Sequence, residues 1–231
     1  MGSVYPDDTT CLVCGESLPG EVLCPDCRKR LDALRLSGAV CDRCGHPLPQ
    51  GEACPFCAVH FLPVTARSAW AHKDEARRLV HLLKFHQQAI AADIMARAAA
   101  EAAGEMNLCA DTVVTWVTMP ERRKRERGID HGYELASRTA DLLGLPCRQL
   151  LLRRDGRHEI TQRGLDGEQR AQNLSGAFSC MPMKGGHVLL LDDVLTTGRT
   201  VTVCARALLE AGCESVSVVT ATRAVDRKTE L

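Results

Sequence analysis

Two adjacent carboxylates, Asp192 and Asp193, follow the apolar run Val188-Leu189-Leu190-Leu191 and precede Val194, Leu195, Thr196, Thr197, Gly198, Arg199 and Thr200. The chemistry open to that order of residues is the binding of a phosphorylated sugar. A helix starting after the glycine turns unpaired N–H groups and a positive dipole end toward an anion. Gly198 lets the backbone approach closely, and Thr196, Thr197 and Thr200 add hydroxyl donors. Carboxylates beside a phosphate would repel it, so Asp192 and Asp193 are assigned to sugar hydroxyls, as acceptors. Any one of these residues could merely end a strand or cap a helix. All of them together are not explained that way.

A second constellation lies near the N-terminus. Cys11, Cys14, Cys24 and Cys27 recur 30 positions later as Cys41, Cys44, Cys54 and Cys57, with Gly15/Gly45, Leu18/Leu48, Pro19/Pro49 and Pro25/Pro55 repeating beside them. C-x-x-C places two thiolates on one tight turn, and two such turns close a tetrahedral site. Disulfides and an iron–sulfur cluster are the competing readings, and two structural zinc ions account best for the pattern. The pairing is either local, within each unit, or crossed between them; the short loops favour the local one, because closing them costs less entropy. Four sulfurs leave no open position for a catalytic water.

The third candidate is a basic cluster, Arg122, Arg123, Lys124, Arg125 and Arg127. It reads as a solvated loop, as a clamp in which Arg123 and Arg127 spread the charge of a pyrophosphate, or as a patch for nucleic-acid backbone. The scattered histidines His72, His81, His86, His131 and His158 are given no role. Trp70 and Phe85 are expected in the core, as are Cys109, Cys147, Cys180, Cys204 and Cys213.

These residues need elements to hold them. The spacing predicts a short helix over Arg28–Leu36, a strand over Thr65–His72 and helices over Asp74–Phe85 and about 89–103. A strand over Thr112–Met119 follows, then a helix over Tyr133–Leu143 that stops at Gly144. A short strand over Arg148–Leu152 leads into a polar segment, 153–176, which reads as a long functional loop with a helical turn around Gly167–Arg170. Arg153, Arg154 and Arg157 open it. The strand His187–Leu191, the helix Thr200–Ala211 and the strand Ser215–Thr222 complete an alternation that implies a parallel α/β sheet. Ligands bind such sheets beyond the strands' carboxyl ends.

The 231 residues suffice for one α/β domain, 61–231, with a small satellite module, 8–60. No signal segment opens the chain and no run approaches the ~20 apolar residues of a membrane span. A reducing cytoplasm is therefore expected, where thirteen cysteines suit metal rather than disulfides. Formal net charge is zero, which excludes a global pull toward nucleic acid or membrane. Residues 1–60 hold five Lys/Arg against eight Asp/Glu. Two tetrathiolate zinc centres would make that segment more acidic still, which argues for a structural or protein-docking module rather than a nucleic-acid finger.

Asp192-Asp193-Val194-Leu195-Thr196-Thr197-Gly198-Arg199-Thr200 resembles the signature loop of type I phosphoribosyltransferases. The order of N-terminal cysteine pairs, Leu82-Leu83-Lys84-Phe85, Arg123–Gly128, Gln162 with Gly164-Leu165, Arg170, Asn173, Gly176-Ala177-Phe178 and this loop is similar to that of the ComF family. The resemblance implies a phosphoribosyltransferase fold that binds phosphoribosyl pyrophosphate (PRPP) with magnesium. Asp192 and Asp193 would hold the ribose hydroxyls and Leu195–Thr200 the 5-phosphate. It also implies a link to DNA uptake, either as an enzyme or as a PRPP-sensing or single-stranded-DNA-handling module. The chain departs from the family's Arg-Gly-Phe-Asn-Gln, reading Arg127-Gly128-Ile129-Asp130-His131, and from a Pro-Val-Pro-like start, reading Val117-Thr118-Met119-Pro120.

Overall fold

The computed structural model describes residues 10–48, 52–60, 62–153 and 177–225. A four-stranded parallel sheet runs in the order β1 (Thr65–Ala71), β6 (Ser215–Arg223), β5 (His187–Leu195), β2 (Val113–Trp116). Strands β5 and β6 are flanked on both faces, so they read as continuous apolar runs rather than alternating ones. On one face, Leu189, Leu191, Val219 and Ala221 share a core with α3 (Asp74–His86), α4 (Ala89–Gly104) and α6 (His131–Leu143). On the other, Val188, Leu190 and Val218 pack against α7 (Arg199–Glu210). An antiparallel pair, β3 (Leu151–Arg153) with β4 (Phe178–Cys180), completes that second side. No helix among the described residues is long and apolar enough to cross a membrane.

Several boundaries differ from the sequence expectation, each for a local reason. Helix α1 spans Pro25–Asp32 rather than 28–36. Pro25 at its first turn and the Cys24 thiol accepting the Cys27 N–H start it early. The basic cluster is a helix, α5 (Glu121–Arg127), closed by Gly128 in the left-handed region. Strand β5 continues four residues past Leu191, because its pairing with β6 extends to Leu195 opposite Arg223. Both carboxylates therefore lie inside a strand. The expected loop 153–176, with Arg154, Arg157, Gln162 and the Gly167–Arg170 turn, lies outside the described residues beyond Arg153.

The cysteine-rich units are woven into both cores. In the first, Leu23, Cys27 and Leu31 join the core around α3 and Trp70. In the second, Cys44 and Phe56, on α2 (Pro55–Val59), join the core beneath α7. Strand β1 is bonded to both. Leu36 N–H donates to Ala69 O at 3.0 Å and Ala66 N–H to Arg43 O at 2.8 Å.

Candidate functional site

Each unit brings its own four thiols together. Cys11, Cys14, Cys24 and Cys27 converge, as do Cys41, Cys44, Cys54 and Cys57, with all sulfurs of a set within 4.8 Å of one another. The arrangement is local, not crossed. Sulfur separations are 3.7 Å for Cys14–Cys24, 3.6 Å for Cys44–Cys54 and 3.9 Å for Cys41–Cys57. A tetrahedron with Zn–S bonds of about 2.3 Å has edges of about 3.8 Å, so the thiol sets fit zinc. All thirteen cysteines are free of disulfides.

The alternation of β5 sends the paired carboxylates to opposite sides of the sheet. Asp193 continues the series Leu189–Leu191 toward α3 and α6. It is 6% exposed, and both of its oxygens are engaged. Lys84 Nζ of α3 lies 2.7 Å from Oδ1, and His131 Nε2 of α6 lies 3.2 Å from Oδ2. Burial alone would push its pKa up; His131 and Lys84 outweigh it and hold the carboxyl below its ordinary value. Asp192 points the other way and is half-buried. Among the described residues it accepts one hydrogen bond, from the Asp193 N–H at 2.9 Å. Burial, and then the neighbouring Asp193 charge, push it up to about 8. Asp193 thus has two side-chain partners, and among the described residues Asp192 has one backbone donor.

The grip on Asp193 extends outward. Arg127 Nη1 lies 3.2 Å from His131 Nδ1. An arginine can only donate, so Nδ1 is the acceptor in that pair, and Nε2 is left to donate to Asp193. The Arg127 guanidinium also lies 5.0 Å over the Phe85 ring. Gln87, left-handed at the end of α3, donates from Nε2 to Arg127 O at 2.7 Å. The departure at 129–131 has a structural basis. Asp130 caps α6 by accepting the Tyr133 N–H at 3.2 Å and also accepts Trp116 Nε1 at 3.3 Å. Gly132 is required there, since a Cβ would lie 2.9 Å from the Trp116 ring.

Thr196 and Thr197 are exposed at the end of β5, and Gly198 is the N-cap of α7, at φ 74°. The turn thus opens a twelve-residue helix shortly after Asp193, with two exposed threonines before it. Arg199 is exposed and Thr200 half-buried.

Arg127 stands within the Asp193 network, whereas Arg123, one turn earlier on α5, is exposed. Sequence alone assigns Lys84 and His131 no role. Their proximity to Asp193 is long-range and leaves no local pattern, although His131 stood at a visible departure from the family's order. Two expectations are corrected. Phe85 is not core but 59% exposed, carried to the surface at the end of α3 beside Arg127. Cys109 is exposed, in the turn before β2, while Cys204 and Cys213 are buried as expected.

Two family models align with the chain: a double zinc ribbon domain over residues 1–58 and a phosphoribosyl transferase domain over residues 131–230. The DNA utilization protein YhgH of Salmonella typhi is 30% identical over 205 residues, covering 85% of this chain and 88% of that protein. The chain belongs to the ComF family. Competence protein ComFC of Bacillus subtilis is 24% identical to this ComF chain over 213 residues, covering 89% of it and 85% of the relative. Among solved structures, the glutamine PRPP amidotransferase of B. subtilis aligns at a TM-score of 0.39 and 22% identity, over 57% of this chain and 26% of that one. Orotate phosphoribosyltransferase from Aeropyrum pernix aligns at 0.37 and 21%, over 70% and 72%. ComF membership, the parallel sheet and the two four-cysteine sets together define a type I phosphoribosyltransferase-like fold with an N-terminal double zinc ribbon.

Proposed function

We propose that this ComF-family protein binds PRPP with magnesium at the carboxyl ends of β5 and β2 and transfers its phosphoribosyl group to a nitrogen nucleophile. The observation that carries the reading is Asp192, half-buried and little engaged, beside an exposed threonine turn that opens into α7. In the reaction the bond from the anomeric carbon to pyrophosphate oxygen breaks, and pyrophosphate leaves with the electron pair. The nitrogen forms the new bond and gives up a proton. Asp192 accepts from the ribose hydroxyls, and Leu195–Thr200 cradle the 5-phosphate through N–H and hydroxyl donors. Asp193 anchors Lys84 and His131, His131 in turn positions Arg127, and Arg123 and Arg127 take up the charge of the leaving group. Magnesium, when bound with PRPP, would neutralise pyrophosphate. Thirteen cysteines without a disulfide favour a reducing, cytoplasmic setting. We divide the chain into a double ribbon, 8–60, and a phosphoribosyltransferase domain, 61–231.

A second reading has its own support. Arg127 lies over exposed Phe85, Arg122, Arg123 and Arg125 of the same helix are exposed, and Tyr133 is 45% accessible, a combination suited to single-stranded DNA. The names of the relatives, DNA utilization and competence proteins, agree with it. In that reading the site senses PRPP with little turnover.

Calorimetric titration with Mg-PRPP, followed by a pyrophosphate-release screen across nucleobases and amines, tests the first reading; no binding of PRPP would end it. Replacing Arg123 and Arg127 together with Ala separates the two. If they clamp pyrophosphate, PRPP binding falls far more than ribose 5-phosphate binding. If they track nucleic acid, both small ligands bind as before, DNA affinity falls, and its salt slope flattens by about one unit per lost phosphate contact.

A further inference from the structure

Arg223, the last residue of β6, is 0% exposed. Its Nη1 donates to Cys44 O at 2.5 Å, while Nε and Nη2 are buried without a hydrogen-bond partner among the described residues. A buried guanidinium demands a counter-charge. Its bond to the Cys44 carbonyl seats it beside the second thiol set, Cys41, Cys44, Cys54 and Cys57. Neutral thiols would leave the charge uncompensated, whereas four thiolates around one divalent ion carry a formal charge of about −2.

The same guanidinium reaches the turn into α7 by two routes. Its Cζ sits 4.8 Å over the ring of Phe56, which lies between Cys54 and Cys57 in the second unit. That ring lies under Gly198: a Cβ there would be 3.6 Å from Phe56 Cζ and 3.3 Å from Leu62 Cδ1. Along the backbone, Arg223 pairs with Leu195, and Ala224 N–H donates to Leu195 O at 2.8 Å. The thiol set, the cation, the ring and the turn form one continuous stack.

We infer that Arg223 is the counter-charge of the second tetrathiolate centre and that, through Phe56, this centre positions the 195–198 turn. That the turn holds a phosphate rests on the function proposed above; the coupling itself does not. Arg223 and Phe56 are positioning residues, since neither reaches the ligand side of the turn.

The test uses the full chain loaded with zinc and three variants, Arg223→Met, Arg223→Lys and Phe56→Leu. Zinc release to a chelator, amide exchange at residues 195–200 and ribose 5-phosphate affinity are measured. Arg223→Met should release one of its two zinc ions about 10–100-fold faster, the usual cost of losing a partner beside the ligands. Arg223→Lys, which keeps the charge, should restore most of that retention. A packing role alone would favour Met over Lys. Phe56→Leu should keep both ions yet exchange faster at 195–200. Both zinc ions leaving Arg223→Met at the wild-type rate overturn the counter-charge, as does equal loss in Met and Lys. Should Arg223→Met fail to fold, Lys against wild type and Phe56→Leu still decide: fast zinc loss in Lys, or unchanged exchange in Phe56→Leu, overturns the coupling. Wild type that does not bind ribose 5-phosphate, with the zinc and exchange results as expected, sinks the functional reading and leaves the coupling standing.

Discussion

Cys11–Gly15 and Cys41–Gly45 fold into the same turn. Gly15 N–H donates to Cys11 O at 2.8 Å, and Gly45 N–H donates to Cys41 O at 2.7 Å. Both glycines take positive φ, and both units then enter a short helix through a Cys-Pro step. Their surroundings diverge. A Cβ on Gly15 meets nothing within 4 Å, whereas one on Gly45 would lie 2.8 Å from Ala66 O. The first unit leans on α3 and Trp70, where Arg30 pairs with Glu75. The second is pressed between β1, the buried Arg223 and the turn into α7. A duplicated sequence unit has thus acquired two jobs. One packs against α3 and Trp70, and the other lies beneath the turn into α7.

The largest effect expected from that contrast is in the metal sites themselves. Cys14→Ser and Cys44→Ser should each reduce zinc from two ions per chain to one, by metal analysis. Cys44→Ser should also lower ribose 5-phosphate affinity more than about 100-fold, while Cys14→Ser should leave it within about threefold, because structural zinc contributes folding energy locally. Equal losses would erase the distinction between the units.

The glycines sharpen it next. Gly15→Ala should cost about 1–2 kcal/mol, the strain of a side chain in the left-handed region. Gly45→Ala adds a backbone clash worth roughly a further 1–3 kcal/mol, and urea denaturation of both variants would show whether the gap exists.

A contrast of the same kind exists between the neighbouring carboxylates. Asp193→Asn should weaken Mg-PRPP binding by roughly 1–3 kcal/mol and also destabilise the fold, since it removes the buried partner of Lys84 and His131. Thr197→Val, at an exposed position, should weaken binding by a similar amount and leave stability alone. Calorimetry beside thermal melts separates the two.

The smallest effect concerns Asp192. Its folded-state pKa is raised to about 8, so the fold favours its neutral form. The unfolded chain ionises first, near about 4, and stability is lost progressively as pH rises from there through about 8. Asp192→Asn should therefore melt with wild type near about pH 4 and higher than wild type at about pH 8.5. Ligand binding to the wild type should release a proton at neutral pH, because a sugar hydroxyl donates to the ionised form.

Much of this was legible in the chain. The 30-residue repeat of C-x-x-C pairs named both metal sets, and loop entropy favoured the local pairing that the structure holds. The alternation of apolar strands and helices implied the parallel sheet, and the Asp-Asp-Val-Leu-Thr-Thr-Gly order located the turn into α7. These signals are local, carried by spacing over a few residues or by helical and strand periods.

What only the tertiary structure decided is which neighbours those residues meet. Two adjacent aspartates look equivalent in the chain. The pleat of β5 sends one to Lys84 and His131, distant in sequence, and leaves the other facing α7. Arg223 reads as the end of a strand until β6 delivers it to Cys44, 179 positions distant. Burial, charge pairing and the seat of a glycine are properties of contact. A sequence determines them only through the fold that brings distant segments together.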